Sequence, residues 1–158
     1  MARIAYLADH PEHILTLAEW FRAEWQEYYA GRTNEDVAEE FSQDLKRDRL
    51  PIRLIAFEQD ELAGCIVLRE FALSTHPDYK PGLGGLYVAK HLRGRGIGTH
   101  LVSAGIQLAW DLGYPAIYTT TNTASRIVER LEWERLGTIN HHGEVIGLYR
   151  KQFVSRDE

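Results

Sequence analysis

The sequence contains little sulfur, few prolines and no long apolar run. Its 158 residues include one cysteine (Cys65), one methionine and five prolines. One cysteine excludes an internal disulfide and favours a reducing compartment, so we expect a cytoplasmic protein. No apolar run approaches the roughly 18 residues of a membrane span, and the opening MARIAYLADH lacks the apolar core of a signal peptide. We therefore expect one domain over residues 1–158 and no membrane partner.

Negative charge is in excess, and charge is unevenly spread along the chain. The net charge of −5 argues against a nucleic-acid partner. Residues 12–44 carry nine acids and two arginines, a balance of −7, whereas residues 80–100 carry two lysines, two arginines and no acid, a balance of +4. A positive centre in an acidic chain predicts a defined seat for one anionic ligand.

Apolar periodicity predicts seven strands and four helices. Strands are predicted at residues 2–8, 52–58, 62–72, 85–89 and 115–121, with a terminal hairpin over residues 133–153. Helices are predicted at residues 11–29, from a Thr33–Asp36 cap to Pro51, at residues 96–112, and from Asn122 or Thr123 to Leu131. The order β-α-α-β-β-β-α-β-α-β-β predicts an α/β (α+β) fold, with a mixed sheet flanked by helices.

A glycine-rich run, HLRGRGIGT, stands where the third helix begins. Gly94, Gly96 and Gly98 alternate with Arg95 and follow Arg93. Unpaired N–H groups and the helix dipole favour an anion at a helix start, and glycine lets it approach the backbone. The spacing is neither a dinucleotide fingerprint nor a Walker loop. The run therefore predicts a phosphate seat; the alternative is a mobile surface loop with solvated arginines.

Two segments of the sequence resemble the GNAT N-acetyltransferase superfamily. LYVAKHLRGRGIGTHLV is similar to the acyl-CoA motif of that superfamily, Arg or Gln, two residues, Gly, one residue, then Gly or Ala. Its matching residues are Arg93, Gly96 and Gly98. TNTASRIVERLEWERLG resembles the later motif, in which a strand ends in Asn before a short helix. The resemblance implies a mostly antiparallel sheet of about seven strands with about four helices, splayed around a CoA cleft.

The resemblance also implies a reaction and a donor. Acetyl-CoA would be the co-substrate, and the acceptor would be a primary amine of a small molecule or peptide. The pyrophosphate would lie on the backbone from Arg93 to Thr99, the pantetheine would pair with the preceding strand, and an N–H near Val88 would stabilise the oxyanion. The implied cofactor-binding residues are Leu86, Tyr87, Val88, Arg93, Gly94, Arg95, Gly96, Ile97, Gly98, Thr99, Asn122 and Ser125.

The sequence departs from the family at its catalytic positions. Gly84 and Gly85 stand where many members carry a Glu or His base, and Val128 stands where many carry a Tyr acid. Glu70, acting through water, and His76 are the candidate bases; an exposed strand carboxylate is the alternative for Glu70. Candidate acids are Tyr118 and Tyr149, which are otherwise packing residues.

The first two helices and the hairpin tip supply candidate acceptor contacts. Trp25 and Tyr28 fit a core stripe or a pocket, whereas Tyr29 falls off the stripe and is the better pocket candidate. Nearby Glu24 and Glu27 suggest a cationic amine. The remaining candidates, His141 and His142, border the acceptor site or form a solvated turn. No third ligand accompanies these histidines or the His10–His13 pair, so we expect no metal.

The sequence leaves two other functions open. The empty catalytic positions allow a non-catalytic acyl-CoA-binding or regulatory module. The anion seat alone would also suit a nucleotide-binding protein. A homodimer is one assembly that we consider for any of these functions.

Overall fold

A computed structural model describes residues 2–141 and 143–154. In these residues it has seven strands and four α-helices in the predicted order. The strands are β1 (Arg3–Tyr6), β2 (Ile52–Glu58), β3 (Glu61–Arg69), β4 (Gly82–Val88), β5 (Ala116–Thr121), β6 (Glu134–His141) and β7 (Glu144–Gln152). The helices are α1 (Ile14–Glu24), α2 (Asn34–Phe41), α3 (Ile97–Asp111) and α4 (Ser125–Arg130).

All seven strands form one mixed sheet, as predicted. Their order is β1-β2-β3-β4-β5-β7-β6, and every neighbouring pair is antiparallel except β4 and β5. Strands β2 and β3 are buried almost throughout because side chains of alternate residues enter different cores. Leu54 and Ala56 pack with α3, whereas Ile55 and Phe57 pack with α1 and α2.

Helix α1 is shorter than the predicted helix over residues 11–29. A 3-10 turn occupies Pro11–His13, and α1 ends at Glu24. Trp25 leaves the helical conformation, with φ −120° and ψ 59°, and packs edge-on against Phe21 with ring centroids 4.8 Å apart. The stripe beyond Trp25 therefore does not follow helical periodicity.

Helix α2 begins at the predicted cap but ends at Phe41, well before Pro51. Thr33 Oγ1 accepts from the Asp36 N–H at 3.0 Å, and an Asp36 carboxylate oxygen accepts from the Thr33 N–H at 3.0 Å. The hydrogen bond from the Thr33 N–H to the carboxylate holds the pKa of Asp36 below its usual value. Its contribution to stability is therefore present at neutral pH and is lost as the pH falls through the lowered pKa.

We expect Thr33→Ala to lower the free energy of unfolding by about 1 kcal/mol, because one N–H at the start of α2 loses its acceptor. Thr123→Ala is the matched control. The sequence predicts Thr123 as a possible cap of α4, but no side chain caps that helix. Urea unfolding of both variants measures the difference; an equal loss in the two would contradict the assignment of the cap.

Strands β4 and β5 diverge shortly after they begin. They share one registered pair, Gly82 with Tyr118, and the Thr119 hydroxyl donates to the Leu83 carbonyl at 2.6 Å. Beyond this point β4 carries a bulge. Two of its residues, Gly85 and Leu86, lie opposite one residue of β3, Ile66. Gly85 has φ +60°, a conformation that favours glycine. The predicted splay between these strands is confirmed.

Candidate functional site

The glycine loop, residues 91–99, presents a row of backbone donors. Gly94 and Gly96 have φ of +83° and +82°, and Gly96 is the N-cap of α3. No side chain caps this helix, and no acceptor within the described chain binds the N–H groups from Gly94 to Thr99. Consecutive free N–H groups at the positive end of a helix dipole form a seat for an anion.

Two residues of the glycine loop have structural contacts that the sequence does not reveal. A Cβ on Gly98 would lie 3.1 Å from Ile127 Cδ1, so this glycine also allows α3 and α4 to pack closely. Arg93 Nε donates to the Val88 carbonyl at 2.8 Å, and its guanidinium lies 3.5 Å from Glu24. Arg93 therefore ties the loop to the end of β4, and Arg95 is an exposed cation of the same loop.

The diverging strands enclose a cavity of about 190 Å³, which we call the interstrand cleft. Leu83 to Leu86 line one wall and Thr119 to Thr121 the other. Val128 and Trp133 also line it, and both are buried. Neither candidate acid lines the cleft: the Tyr118 ring packs at a tilt against Tyr79, and Tyr149 is buried in the core. Val128 gives the cleft an apolar surface at the position where many family members carry a tyrosine acid.

The start of α4 differs from the predicted cap at Asn122 or Thr123. The N-cap is Ala124, whose N–H donates to Thr121 Oγ1 at 2.9 Å. The Asn122 amide instead joins β5 to β7, donating to the Val145 carbonyl at 3.1 Å and accepting from the Gly147 N–H at 3.3 Å. Ser125 lines a shallow depression beside Asn122, outside the interstrand cleft.

A larger cavity of about 580 Å³, the aromatic pocket, lies between α1, α2 and the sheet. Trp25 and Gly85 line both cavities, so the aromatic pocket and the interstrand cleft meet there. Of the two alternatives for Tyr28, the core stripe is wrong, since 72 % of the residue is exposed at the pocket edge; Trp25 is 38 % exposed and also lines the pocket. Tyr29 is 8 % exposed and lines the pocket, and burial raises the pKa of its hydroxyl to about 12.

An ion pair lies beneath the aromatic pocket. Arg53 is 5 % exposed and its Nε donates to Asp44 Oδ2 at 2.8 Å. Its guanidinium carbon stands 4.0 Å from the centre of the Phe41 ring, and Nη1 donates to Cys65 Sγ at 3.5 Å. Arg53 is not among the residues predicted for the site, although an arginine inside the apolar strand IRLIAFE was the available signal.

The acids of the aromatic pocket differ from those expected. Glu24 and Glu27 do not line it, and Glu24 faces Arg93. The carboxylates that do line it belong to Asp44 and Glu40, and Glu40 accepts from Arg32 at 2.8 Å. Both acids are therefore paired with arginines, and among the described lining residues no unpaired carboxylate faces a cationic amine.

Of the remaining candidates, those with a described position do not line either cavity. Glu70 is exposed just beyond β3, and His76 Nδ1 lies 2.9 Å from Thr75 Oγ1. Neither lines a cavity described above, so their catalytic role stays a prediction. His141 ends β6, and His142 lies outside the described residues. Within residues 2–141 and 143–154, no cluster of three or more His, Cys, Asp or Glu side chains is arranged to hold a metal ion.

Cys65 is expected to be unreactive in the folded protein. It is fully buried, and burial raises the pKa of its thiol although Arg53 opposes that shift. Because the thiolate is the nucleophile, we expect Ellman's reagent to label no thiol within minutes at pH 8 and one thiol after unfolding in guanidinium. Rapid labelling of the folded chain would contradict this environment. The result also matters for assays that detect a released thiol.

Comparison with known proteins identifies one family. A family model for the acetyltransferase (GNAT) family matches residues 15–137. No curated protein sequence matches significantly.

Solved structures show the same fold. A GNAT-family acetyltransferase from Streptococcus pneumoniae has a TM-score of 0.73 and 14% identity, with 98% of this chain and 100% of that chain covered. Aminoglycoside 6'-acetyltransferase type Ii has a TM-score of 0.75 and 24% identity, with 98% of this chain and 99% of that chain covered. An aminoglycoside 6'-N-acetyltransferase complexed with coenzyme A has a TM-score of 0.77 and 21% identity, with 98% of each chain covered.

None of the described helices combines the length and the apolar character that crossing a bilayer requires.

Proposed function

Because this chain belongs to the acetyltransferase (GNAT) family, we propose that it transfers an acetyl group from acetyl-CoA to a primary amine of a small molecule or peptide. One observation carries this proposal: the interstrand cleft and the aromatic pocket meet at Gly85 and Trp25. A donor in the cleft and an acceptor in the pocket would bring thioester and amine together there. We also propose residues 1–158 as one domain.

The donor would bind through backbone groups. The free N–H groups from Gly94 to Thr99 suit the pyrophosphate, with Arg95 adding charge. The pantetheine would follow Leu86, Tyr87 and Val88, since β5 has left this edge of β4. An aminoglycoside 6'-N-acetyltransferase of similar fold was solved with coenzyme A, which supports CoA as the ligand of this site. Asn122 and Ser125 stay predicted contacts, and the Asn122 amide already has two backbone partners.

The reaction requires a neutral amine at the junction. Its lone pair attacks the thioester carbonyl, a C–N bond forms, the C–S bond breaks, and the thiolate leaves and takes a proton. The Val88 N–H is our proposed oxyanion donor. Gly84, Gly85 and Val128 offer no ionisable side chain, so water would receive the ammonium proton or relay it to a more distant base. Trp25 and Tyr29 are the proposed acceptor contacts; His141 and His142 stay predictions.

We expect the rate to follow the ionisation of the acceptor itself. Without an unpaired carboxylate or histidine in the described lining of either cavity, log kcat/KM should rise with a slope of one up to the amine pKa of the acceptor. A steady-state pH profile measures this. A lower break that disappears in Glu70→Gln or His76→Gln would contradict the expectation and identify that residue as the base.

Release of CoA thiol from acetyl-CoA over a panel of amines and peptides tests the proposal. A non-catalytic acyl-CoA module would bind CoA and release thiol only slowly, with no dependence on the acceptor. Calorimetry with CoA, ATP and NAD tests the nucleotide alternative, and we expect heat of binding from CoA. Tight binding of ATP or NAD without CoA binding would overturn the proposal.

A further inference from the structure

One guanidinium in the aromatic pocket has no neutralising partner in the described chain. Asp44 is paired with Arg53, and Glu40 is paired with Arg32. Arg69 also lines the pocket, and its side chain forms no hydrogen bond or ion pair within residues 2–141 and 143–154. The unbalanced charge of the pocket is therefore positive, and a concave site with such a charge attracts an anion.

Arg69 reaches the junction of the two cavities because two residues there have no side chain. It is the last residue of β3 and pairs in register with Gly82. Its Nη2 lies 2.8 Å from the position of a Cβ on Gly84 and 3.5 Å from that of a Cβ on Gly85. A side chain at residue 84 would displace this guanidinium. Where many family members carry a catalytic base, this chain has a glycine, and the Arg69 guanidinium occupies the room left by the missing side chain.

A second guanidinium approaches the same point. Arg53 Nη1 lies 3.6 Å from the Cβ position of Gly85, where Arg69 Nη2 is also close. Arg69 is exposed at the end of β3, but the protein around its guanidinium displaces water, and this desolvation and the charge of Arg53 lower the pKa of Arg69. Two cations that converge on one point beside an open cavity repel each other, and a bound anion would offset that repulsion.

We infer that the acceptor is a small amino acid-like molecule, whose carboxylate pairs with Arg69 and whose nearby amine receives the acetyl group. The planar guanidinium fork suits a carboxylate. Since Arg69 lies at the junction, carboxylate and amine must be close together, as in an α- or β-amino acid. The cavity of about 580 Å³ suits a small molecule, and Phe21 and Trp25 offer aromatic surface to its side chain. This inference rests on the proposed acetyl transfer.

The test compares matched acceptors in the thiol-release assay. Each of a set of α- and β-amino acids is assayed beside its carboxamide and its decarboxylated amine, and one aminoglycoside serves as a polycationic acceptor. We expect the best amino acid to exceed its carboxamide in kcat/KM by about 10- to 100-fold, as for a lost charge-assisted hydrogen bond. Arg69→Gln should abolish that preference while CoA affinity stays unchanged, and Arg69→Lys should keep part of it.

Arg49→Gln is the matched control, because Arg49 is exposed on another face and does not line the aromatic pocket. It should keep the full preference for carboxylates. Turnover that ignores the carboxylate, or a preference that survives in Arg69→Gln, overturns this inference and leaves acetyl transfer standing. Absence of CoA binding in calorimetry overturns the proposed function. CoA binding with no turnover of any acceptor overturns both.

Discussion

Gly96→Val is expected to weaken CoA binding by at least about 100-fold. Gly96 has φ +82° and caps α3, and no atom lies within 4 Å of the Cβ it lacks. Valine disfavours that backbone conformation and would place two methyl groups over the free N–H groups of the loop. Losing two charge-assisted contacts to a phosphate costs about 3 kcal/mol, which corresponds to the expected change. Calorimetric titration with CoA measures it.

Gly113→Val separates blocked binding from backbone strain. Gly113 follows the other end of α3, has φ +92°, and has no atom within 4 Å of its missing Cβ. The strain of the substitution should match that at Gly96, but Gly113 is remote from the anion seat. We expect similar losses of unfolding free energy in both variants and a loss of CoA affinity only in Gly96→Val. Unchanged affinity in Gly96→Val would show that the seat is elsewhere.

The features that sequence predicted well are local ones. Glycines with positive φ, a Thr–Asp capping box and β-branched runs act within a few residues, so a single chain read in order reveals them. The element order and the splay of β4 from β5 followed from those signals and from the family resemblance. Helix α1 shows the limit: Trp25 leaves the helix and packs against Phe21 and against Tyr87 of β4, 62 residues away, a contact that periodicity cannot contain.

The charge of the aromatic pocket was mispredicted for a related reason. Glu24 and Glu27 are close to the aromatic residues along the chain, yet the cations that face the pocket come from β2 and β3. Arg69 reaches the junction only because Gly84 and Gly85 lie beside it on the neighbouring strand. In the sequence these glycines are recognisable only as missing catalytic residues. That they make room for a guanidinium depends on the register between β3 and β4.

Asp44→Asn is expected to lower the free energy of unfolding by about 3 kcal/mol, because the substitution leaves Arg53 buried without a compensating charge. Both partners are almost fully buried, and without Asp44 the described contacts of the Arg53 guanidinium are with Cys65 and the rings of Phe41 and Phe21. Glu134→Gln is the matched control, since the Arg150–Glu134 pair has a similar 2.7 Å contact but is exposed, so its loss should cost less than about 1 kcal/mol.

The double variant Asp44→Asn with Arg53→Met distinguishes an unpaired charge from a packing defect. Methionine fills much of the volume of the arginine stem and needs no counter-charge, so we expect it to recover most of the stability that Asp44→Asn loses. Urea unfolding of the two single variants and the double variant gives the coupling energy of the pair. Strictly additive losses would show that Asp44 and Arg53 contribute independently and that the pair does not hold the floor of the aromatic pocket.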